Sequence, residues 1–290
     1  MGGRVSEVGF GVSNAQGRLY VVATPIGHLD DITVRAARVL AEVDRILAED
    51  TRHTRRLLDH LGINKPLTAM HDHNEGALLA STVESLLAGA SLALVSDAGT
   101  PLISDPGFPL VRACRAAAIE VVAIPGASAV IAALSTAGLP TDRFRFEGFL
   151  PRKAAARRQR LDGLTRETAT MVFYEASHRI ADTLRDCEAA FGGERQAVLA
   201  RELTKLHETV KSAPLEALAA WVAADPNQQR GEIVLLIGGA LDDEAADDFD
   251  ELLQLLLTEL PVSQAAAIVS RYTGRGKNDV YRRALALQTG

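Results

Sequence analysis

The stretch SLALVSDAGTPLISDPG, residues 91–107, decides the fold of this chain. Its apolar run at 92–95 has no polar interruption, which is typical of a strand covered on both faces. Glycines and prolines directly after the run exclude regular structure, and a helical pattern follows them. Open α/β sheets bind ligands at strand ends of this kind, so we expect a small-ligand loop here. The alternative is an ordinary connection rich in turn-forming residues.

Two other predicted strands end in the same way. Residues 19–23 are followed by TPIGH, and residues 121–124 are followed by PGASA at 125–129. Ser128 can cap the next helix, whose free N–H groups favour an anion, although plain capping is the alternative. The pattern GASA lacks the fifth-position glycine of a hydrolase nucleophile elbow, so we exclude that class. We expect the three loops to line one cleft.

The first half of the chain alternates strands with helices. Further strands are predicted at 45–48 and 67–70, and helices at 33–43 and from a Thr51 cap to Gly62. This spacing indicates βαβ units and a parallel sheet. The prediction is a doubly wound α/β domain over residues 19–141, after a disordered tail at 1–18.

A second α/β domain is predicted over residues 142–240. Its strands are expected at 144–149, 170–174, 196–200, 208–212 and 232–238. They follow one another closely, which favours mixed or antiparallel pairing. Residues 241–290 then form an acidic linker and three short helices, at 252–260, 263–272 and 278–287.

Composition limits the functional class. The chain has 290 residues, 47% of them hydrophobic, and a net charge of −6, so a general basic surface that coats nucleic acid is excluded. No apolar run approaches the roughly eighteen residues of a membrane span, and no hydrophobic signal core is present, which predicts a soluble cytoplasmic protein. Cys114 and Cys187 lie far apart, so we expect reduced, buried thiols and no cysteine-based metal site.

Common site motifs are missing. No Gly-x-Gly-x-x-Gly follows the first strand and no P-loop occurs, so any cofactor site is unconventional. The segment HDHNE at 71–75 resembles a metal cluster, but the nearby His60 lies across a predicted strand. We therefore favour a polar loop and predict no metal.

A local basic cluster begins at the domain junction. Five cations occur in nine residues, and a further arginine lies at a strand end. The candidates for RNA contact are Arg152, Lys153, Arg157, Arg158, Arg160 and Arg179. They would neutralise phosphates without reading sequence, and a solvated helix face is the alternative. The final segment also contains Arg271, Arg275, Lys277, Arg282 and Arg283, which could contact phosphates as in a helix-turn-helix-like tail; solvated charge is the alternative.

Six motifs in order identify a resemblance: VATPIGHLDD, LAEDTRHTRRLL, VSDAGTPLISDPG, PGASA, GFLPRK and FYEASHR. Together they resemble the RsmI family, which has the tetrapyrrole-methylase fold. The resemblance extends from residue 19 to about 239, and the tail resembles the helical RNA-binding appendage of that family. It implies two α/β domains with the cofactor cleft between them, and a homodimer.

The implied activity is methyl transfer from S-adenosylmethionine to the ribose 2′-hydroxyl of a cytidine in the decoding region of 16S ribosomal RNA. The cofactor contacts implied are Pro25, Asp97, Ala98, Gly99, Thr100, Ile103, Ser128, Ala129, Tyr174, Glu175, Glu232 and Ile233. Methyl transfer needs alignment of the reactants and a positioned base. Candidate bases near predicted strand ends are Asp50, Glu175 and Lys205, followed by His71, Asp72, His178 and Glu202.

Two alternative functions remain open from the sequence. The first is a tetrapyrrole methylase of the same fold, against which GFLPRK, the basic helix and the helical tail argue. The second is a non-catalytic RNA-binding protein of ribosome assembly that kept the fold.

Overall fold

The chain forms two units by its internal contacts, and the computed structural model describes residues 17–71, 73–240 and 249–289. The first unit contains the chain up to Ala137, together with Ala200–Val210 and Gly231–Val234. The second contains Gly138–Leu199, Lys211–Arg230 and the chain from Leu235 onwards. The predicted division, with boundaries at 141 and 240, assigns these two later segments to the second domain, whereas their contacts assign them to the first unit.

The first unit is built on a parallel sheet in the order β3-β2-β4-β1-β5. Its strands are β1 (Arg18–Val22), β2 (Arg45–Ala48), β3 (Leu67–Ala69), β4 (Leu92–Val95) and β5 (Glu120–Ile124). Strand β1 begins at Arg18, so the predicted boundary of the tail at residue 18 is one residue too late. Residues 1–16 of the predicted tail lie outside the described residues. The predicted βαβ organisation is confirmed.

Helices alternate with these strands along the chain. They are α1 (Val34–Glu42), α2 (Thr51–His60), α3 (Glu75–Leu87), α4 (Phe108–Ala116) and α5 (Ala129–Ala137). The predicted cap of α2 needs a correction: the N-cap is Asp50, whose side chain accepts a hydrogen bond from the Arg52 N–H, and Thr51 is the first helical residue. A carboxylate at this position satisfies a free N–H group and suits the helix dipole.

Both faces of the first sheet are covered, as the uninterrupted apolar run at 92–95 predicts. Ala93 and Val95 of β4 point to a core cluster that includes Leu40 of α1 and Leu58 of α2. Their neighbours Leu92 and Leu94 belong to a second cluster, which contains residues of α3 and α4. Successive side chains of a strand point to opposite faces, so one short strand contributes to both cores.

The second unit is centred on a mixed sheet in the order β6-β7-β10-β8-β9. Its strands are β6 (Phe144–Phe149), β7 (Thr170–Ala176), β8 (Gln196–Arg201), β9 (Thr209–Pro214) and β10 (Glu232–Ile237), and its helices are α6 (Ala154–Asp162), α7 (Ile180–Phe191) and α8 (Leu215–Ala224). Strands β6 and β7 are parallel. Backbone bonds from Gly238 to Gln196 and from Glu202 to Glu232 make β8 and β10 antiparallel, so the predicted mixed pairing is confirmed.

Three helices follow, α9 (Asp250–Glu259), α10 (Val262–Thr273) and α11 (Lys277–Thr289). They enclose a small core of their own that includes Phe249, Leu253, Val269 and Val280. Most of the predicted acidic linker, at 241–248, lies outside the described residues. Gly274 ends α10 in the left-handed conformation, φ 74°, where glycine is favoured.

The two cysteines are free and buried, as predicted. Burial raises the pKa of both thiols, which keeps them protonated. Within the described ranges, no helix has the length and apolarity that crossing a bilayer requires.

Candidate functional site

The loops after β1 and β4 are joined by main-chain hydrogen bonds. The Thr24 N–H donates to the Gly99 carbonyl oxygen at 2.8 Å, and the Gly99 N–H donates back to Thr24 at 3.0 Å. The Thr24 hydroxyl also donates to the Ser96 carbonyl oxygen at 3.2 Å. The loop after β5 joins them, because the Thr100 hydroxyl donates to the Ala127 carbonyl oxygen at 3.2 Å. The structure therefore brings the three predicted loops together.

Glycine is required at two positions of this arrangement. Gly99 has φ 80°, a conformation that side chains with a Cβ atom seldom adopt. Gly27 packs against residues 203–205: a Cβ there would lie 2.5 Å from Lys205 Cγ and 2.9 Å from the Leu203 carbonyl oxygen. Any larger residue at 27 would push these segments apart.

The topology explains why the loops meet where they do. Strands β1 and β4 are neighbours, yet the chain leaves β1 towards β2 on one side and leaves β4 towards β5 on the other. The carboxyl ends of such neighbours border a crevice, because their connections leave in opposite directions. Open α/β sheets hold ligands at this kind of switch point.

A pocket of about 260 Å³ lies at this point of the first unit. It is lined by Thr24, Pro25, Ile26, Gly27, Leu29, His53, Thr54, Arg56, Leu57, Ser96, Asp97, Ala98, Lys205 and Glu232. Of the predicted site residues, the lining contains Pro25, Asp97, Ala98, Lys205 and Glu232. Gly99 and Thr100 follow the lining residue Ala98 along the chain, and Gly99 is bonded to Thr24, which also lines the pocket.

Lys205 is held between two carboxylates. Its Nζ atom lies 2.8 Å from Glu202 Oε1 and 2.7 Å from Glu232 Oε2. Burial by itself would lower the pKa of Lys205, but the two carboxylates outweigh it and raise that pKa. The amine is therefore protonated at neutral pH and cannot serve as the predicted base.

Asp50 is tied to the start of α2. Its carboxylate accepts hydrogen bonds from the Arg52 side chain and main chain, which hold its pKa at about 2. A general base works best when its pKa lies near the operating pH, so Asp50 is a poor one. The Asp50 N–H in turn donates to Asp97 Oδ1 at 3.0 Å, which connects the β2 and β4 loops.

The carboxylate of Glu175, predicted as a base, is enclosed by other residues, while the predicted cofactor contact at this residue stays a prediction. Its side chain is 0% exposed. One carboxylate oxygen accepts from the Thr183 hydroxyl at 2.6 Å, and the other accepts from the Ala176 N–H at 2.8 Å. Arg179 lies 3.5 Å from the same carboxylate. A carboxylate enclosed in this way has no access to a ligand.

Two of the predicted RNA-binding arginines are held by other residues of the second unit: Arg157 is buried, and Arg179 is half-buried. Arg157 is 6% exposed at its side chain and pairs with Asp186 at 2.6 Å. Arg179 donates to the carbonyl oxygens of Leu150 and Pro151 at 2.9 and 3.0 Å, so it supports the loop that carries the basic cluster. The exposed cations are Arg152, Lys153, Arg158 and Arg160, the last paired with Glu147.

The remaining predicted cofactor contacts lie in varied surroundings. Ile103 is 42% exposed, whereas Ile233 is buried. The Ser128 carbonyl oxygen accepts from Ala132 N–H in the first turn of α5. In the second unit, Tyr174 belongs to an aromatic cluster, with its ring centroid 5.0 Å from Phe146 and 5.6 Å from Phe149.

Other candidates from the sequence are also placed by the structure. The rings of His71 and His73 lie 6.0 Å apart, and Asp72 lies outside the described residues. Among the residues described, no group of three histidine, cysteine or acidic side chains is suited to hold a metal ion. In the helical appendage, Arg283 pairs with Asp250, Arg282 pairs with Asp279, and Arg275 lies over the Phe249 ring.

Sequence reasoning missed the wall of the pocket that α2 provides. His53, Thr54, Arg56 and Leu57 all line it, and Thr54 Oγ1 is buried without a hydrogen-bond partner among the described residues. The motif LAEDTRHTRRLL contains all four. Residues 53, 56 and 57 share one helical face by their spacing, which would have predicted a common surface.

Two family models match the chain. The model of the Tetrapyrrole (Corrin/Porphyrin) Methylases matches residues 18–219, and that of the RsmI C-terminal HTH domain matches residues 243–288. A ribosomal RNA small subunit methyltransferase I from Pseudomonas aeruginosa is 55% identical, covering 94% of this chain and 98% of that protein. A protein of the same name from Escherichia coli O157:H7 is 52% identical, covering 95% and 97%.

Solved structures with similar folds are more distant in sequence. The methyltransferase CobJ has a TM-score of 0.59 at 21% identity, covering 77% of this chain and 95% of that one. A uroporphyrin-III C-methyl transferase from Thermus thermophilus, complexed with S-adenyl homocysteine, has a TM-score of 0.54 at 19% identity, covering 77% and 97%. At this identity the likeness concerns the fold, and it confirms the predicted tetrapyrrole-methylase architecture.

Proposed function

Since the chain belongs to the tetrapyrrole methylase family, and within it to the RsmI group, we propose that it methylates the ribosomal RNA of the small subunit. The observation that carries the proposal is the 55% identity to a small subunit methyltransferase over nearly the full length of both proteins. The reaction transfers a methyl group from S-adenosylmethionine to the ribose 2′-hydroxyl of a cytidine in the decoding region of 16S ribosomal RNA.

The three joined loops fit this cofactor. Ala98 and Thr100, on either side of the buried turn at Gly99, are half-buried and available for contact with a ligand. The exposed side chain of Ile103 offers an apolar surface to an adenine ring. Pro25, Ser128 and Ala129 would complete the contacts. S-adenosylmethionine, when bound, supplies a methyl group activated by the sulfonium charge.

The residues of the site act mainly by positioning. Lys205 is a proton donor between Glu202 and Glu232, and Asp50 is ionised and occupied by Arg52. Alignment of a weak nucleophile with the methyl group is a large part of what such a reaction needs. The bonded loops after β1 and β4 provide the rigid frame for that alignment.

RNA contact is proposed for the exposed cations at the start of α6. Arg152 and Lys153 are exposed, and the Arg158 side chain is 61% exposed. Phosphate contacts of this kind position the RNA and make binding depend on salt. The net charge of −6 favours docking on an assembled particle, where only local basic patches meet RNA. The proposal also includes a cytoplasmic homodimer without a metal ion.

A methylation assay tests the function. Small ribosomal subunits and a porphyrinoid are offered side by side with labelled S-adenosylmethionine, and we expect label in the RNA at a ribose 2′-oxygen. Label in the porphyrinoid alone would overturn the proposal in favour of a tetrapyrrole methylase.

Calorimetry addresses the non-catalytic alternative. We expect S-adenosylmethionine to bind the protein, and absence of binding would contradict an enzymatic role. A monomeric mass in solution would contradict the homodimer.

A further inference from the structure

We propose that the pocket of the first unit binds the ribose phosphate of the acceptor nucleotide, with Arg56 as the phosphate-binding side chain and Thr54 as a hydrogen-bonding group of the wall. The inference rests on the proposed function and deepens it, because it assigns a ligand to a surface that lies beside the cofactor loops.

Arg56 is the cation of this pocket that is left for a ligand. Lys205 is neutralised by Glu202 and Glu232, and the other lining carboxylate, Asp97, accepts the Asp50 N–H. Arg56 is exposed, and its guanidinium has no hydrogen bond or ion pair with any residue that the structure describes. A guanidinium binds phosphate through two parallel N–H donors, which also fixes the orientation of the ligand.

Thr54 gives an independent indication of a ligand. The residue is 3% exposed, it lines the pocket, and its Oγ1 atom has no partner within the described part of the chain. Buried hydroxyl groups are nearly always hydrogen-bonded, so an exception beside a pocket calls for a missing partner. A nucleotide carries both hydroxyl and phosphate oxygens and can supply that partner.

The position of the pocket favours the acceptor over the cofactor. Of the predicted cofactor contacts, the lining contains Pro25, Asp97, Ala98 and Glu232. The other proposed cofactor contacts, Gly99, Thr100, Ile103, Ser128 and Ala129, are outside the lining. The lining also includes His53 and Arg56 of α2, which are not among the predicted cofactor contacts. A volume of about 260 Å³ is below the ordinary range for a complete ligand of cofactor size, and it suits part of one nucleotide.

The test compares Arg56→Ala and Arg56→Lys with a matched control, Arg38→Ala. Arg38 is an exposed arginine on α1, outside the pocket. Replacing it with alanine therefore removes the same charge from the same unit without altering the pocket. Each full-length variant is assayed for methylation of small ribosomal subunits at several salt concentrations, and for binding of S-adenosylmethionine by calorimetry. Thermal melting checks that each variant is folded.

We expect Arg56→Ala to raise KM for small subunits by about tenfold and to lower the slope of log affinity against log salt by about 1. Binding of S-adenosylmethionine should stay within twofold, and Arg38→Ala should change neither quantity. Arg56→Lys should restore part of the affinity, since it keeps the charge but loses the bidentate geometry.

Two results would overturn the assignment. Loss of cofactor affinity in folded Arg56→Ala would mean that the guanidinium binds the carboxylate of the cofactor, and unchanged kinetics would mean that it binds neither ligand. Failure of the proposed function gives a different result, because the unaltered protein would then leave small subunits unlabelled. That result would also overturn the inference about Arg56.

Discussion

Some single residues of the first unit both stabilise the fold and hold the pocket in shape. Asp50 caps α2, and its carboxylate accepts hydrogen bonds from the Arg52 side chain. Its main-chain N–H donates to Asp97 in the loop after β4. Asp50 thus connects the start of α2, a surface ion pair and a residue that lines the pocket. Substitutions of single residues should show how much each of these interactions contributes.

The Asp50 carboxylate should titrate far below its ordinary range. Its pKa is lowered from 3.8 to about 2, chiefly by the Arg52 side chain. The ionised form therefore stabilises the fold above the ordinary pKa, and that contribution is lost as the pH falls through about 2. We expect Arg52→Gln to raise the pKa of Asp50, as followed by carboxyl carbon chemical shifts. An unchanged titration would contradict the pair, and Arg38→Gln is the control.

The buried Thr54 hydroxyl should lower the free energy of unfolding of the protein without ligand. Its oxygen is buried without a partner among the residues described. Replacing it with a methyl group of similar size removes that cost, so Thr54→Val should raise the free energy of unfolding by about 1 kcal/mol. Urea denaturation measures the change, and a lower free energy of unfolding would show that the hydroxyl is satisfied.

Whole elements show which parts of the molecule their sequences predict. The strands and helices of both α/β units lie within a few residues of the predicted bounds, because uninterrupted apolar runs and glycine or proline boundaries identify them. The internal positions of Glu175 and Arg157 were not predicted. A charged residue on an amphipathic element is normally exposed, and its burial depends on partners such as Thr183 and Asp186, which are distant in sequence.

One pattern would have placed Arg157. It lies four residues before Leu161, so both point to the same face of α6, and both are buried. The internal arginine is thus predictable from helical spacing once Leu161 is assigned to the core. Its partner Asp186 on α7 is not, since that contact joins two helices.

The buried arginine of α6 and the exposed cations just before this helix should respond differently to replacement. Arg157→Ala leaves the partly exposed Asp186 carboxylate without its closest partner, and we expect a loss of about 2 kcal/mol in the free energy of unfolding. Arg152→Ala with Lys153→Ala should leave stability unchanged and weaken binding to small subunits. Urea denaturation and binding at two salt concentrations measure these effects. If Arg157→Ala lowered the salt slope at full stability, Arg157 would be an RNA contact after all.

At the scale of the whole molecule, charge sets the choice of substrate. A net charge of −6 repels free RNA over long distances, while the cations of α6 act only close to a surface. We therefore expect assembled small subunits to be methylated faster than free 16S ribosomal RNA at low salt. The initial rates of the two reactions give the comparison, and faster methylation of free RNA would contradict this argument.

The return of residues 200–210 and 231–234 to the first unit has a consequence for the order of synthesis. A ribosome that has reached Ala137 must add a further 97 residues, to Val234, before this unit has all its segments. At translation speeds of about 5–20 residues per second, this takes roughly 5–20 s. During that interval the nascent chain lacks Lys205 and Glu232, so ligands that need a complete pocket cannot assist its early folding. A product that terminates before residue 200 would lack the Lys205 and Glu232 side of the pocket, and we expect it to be inactive.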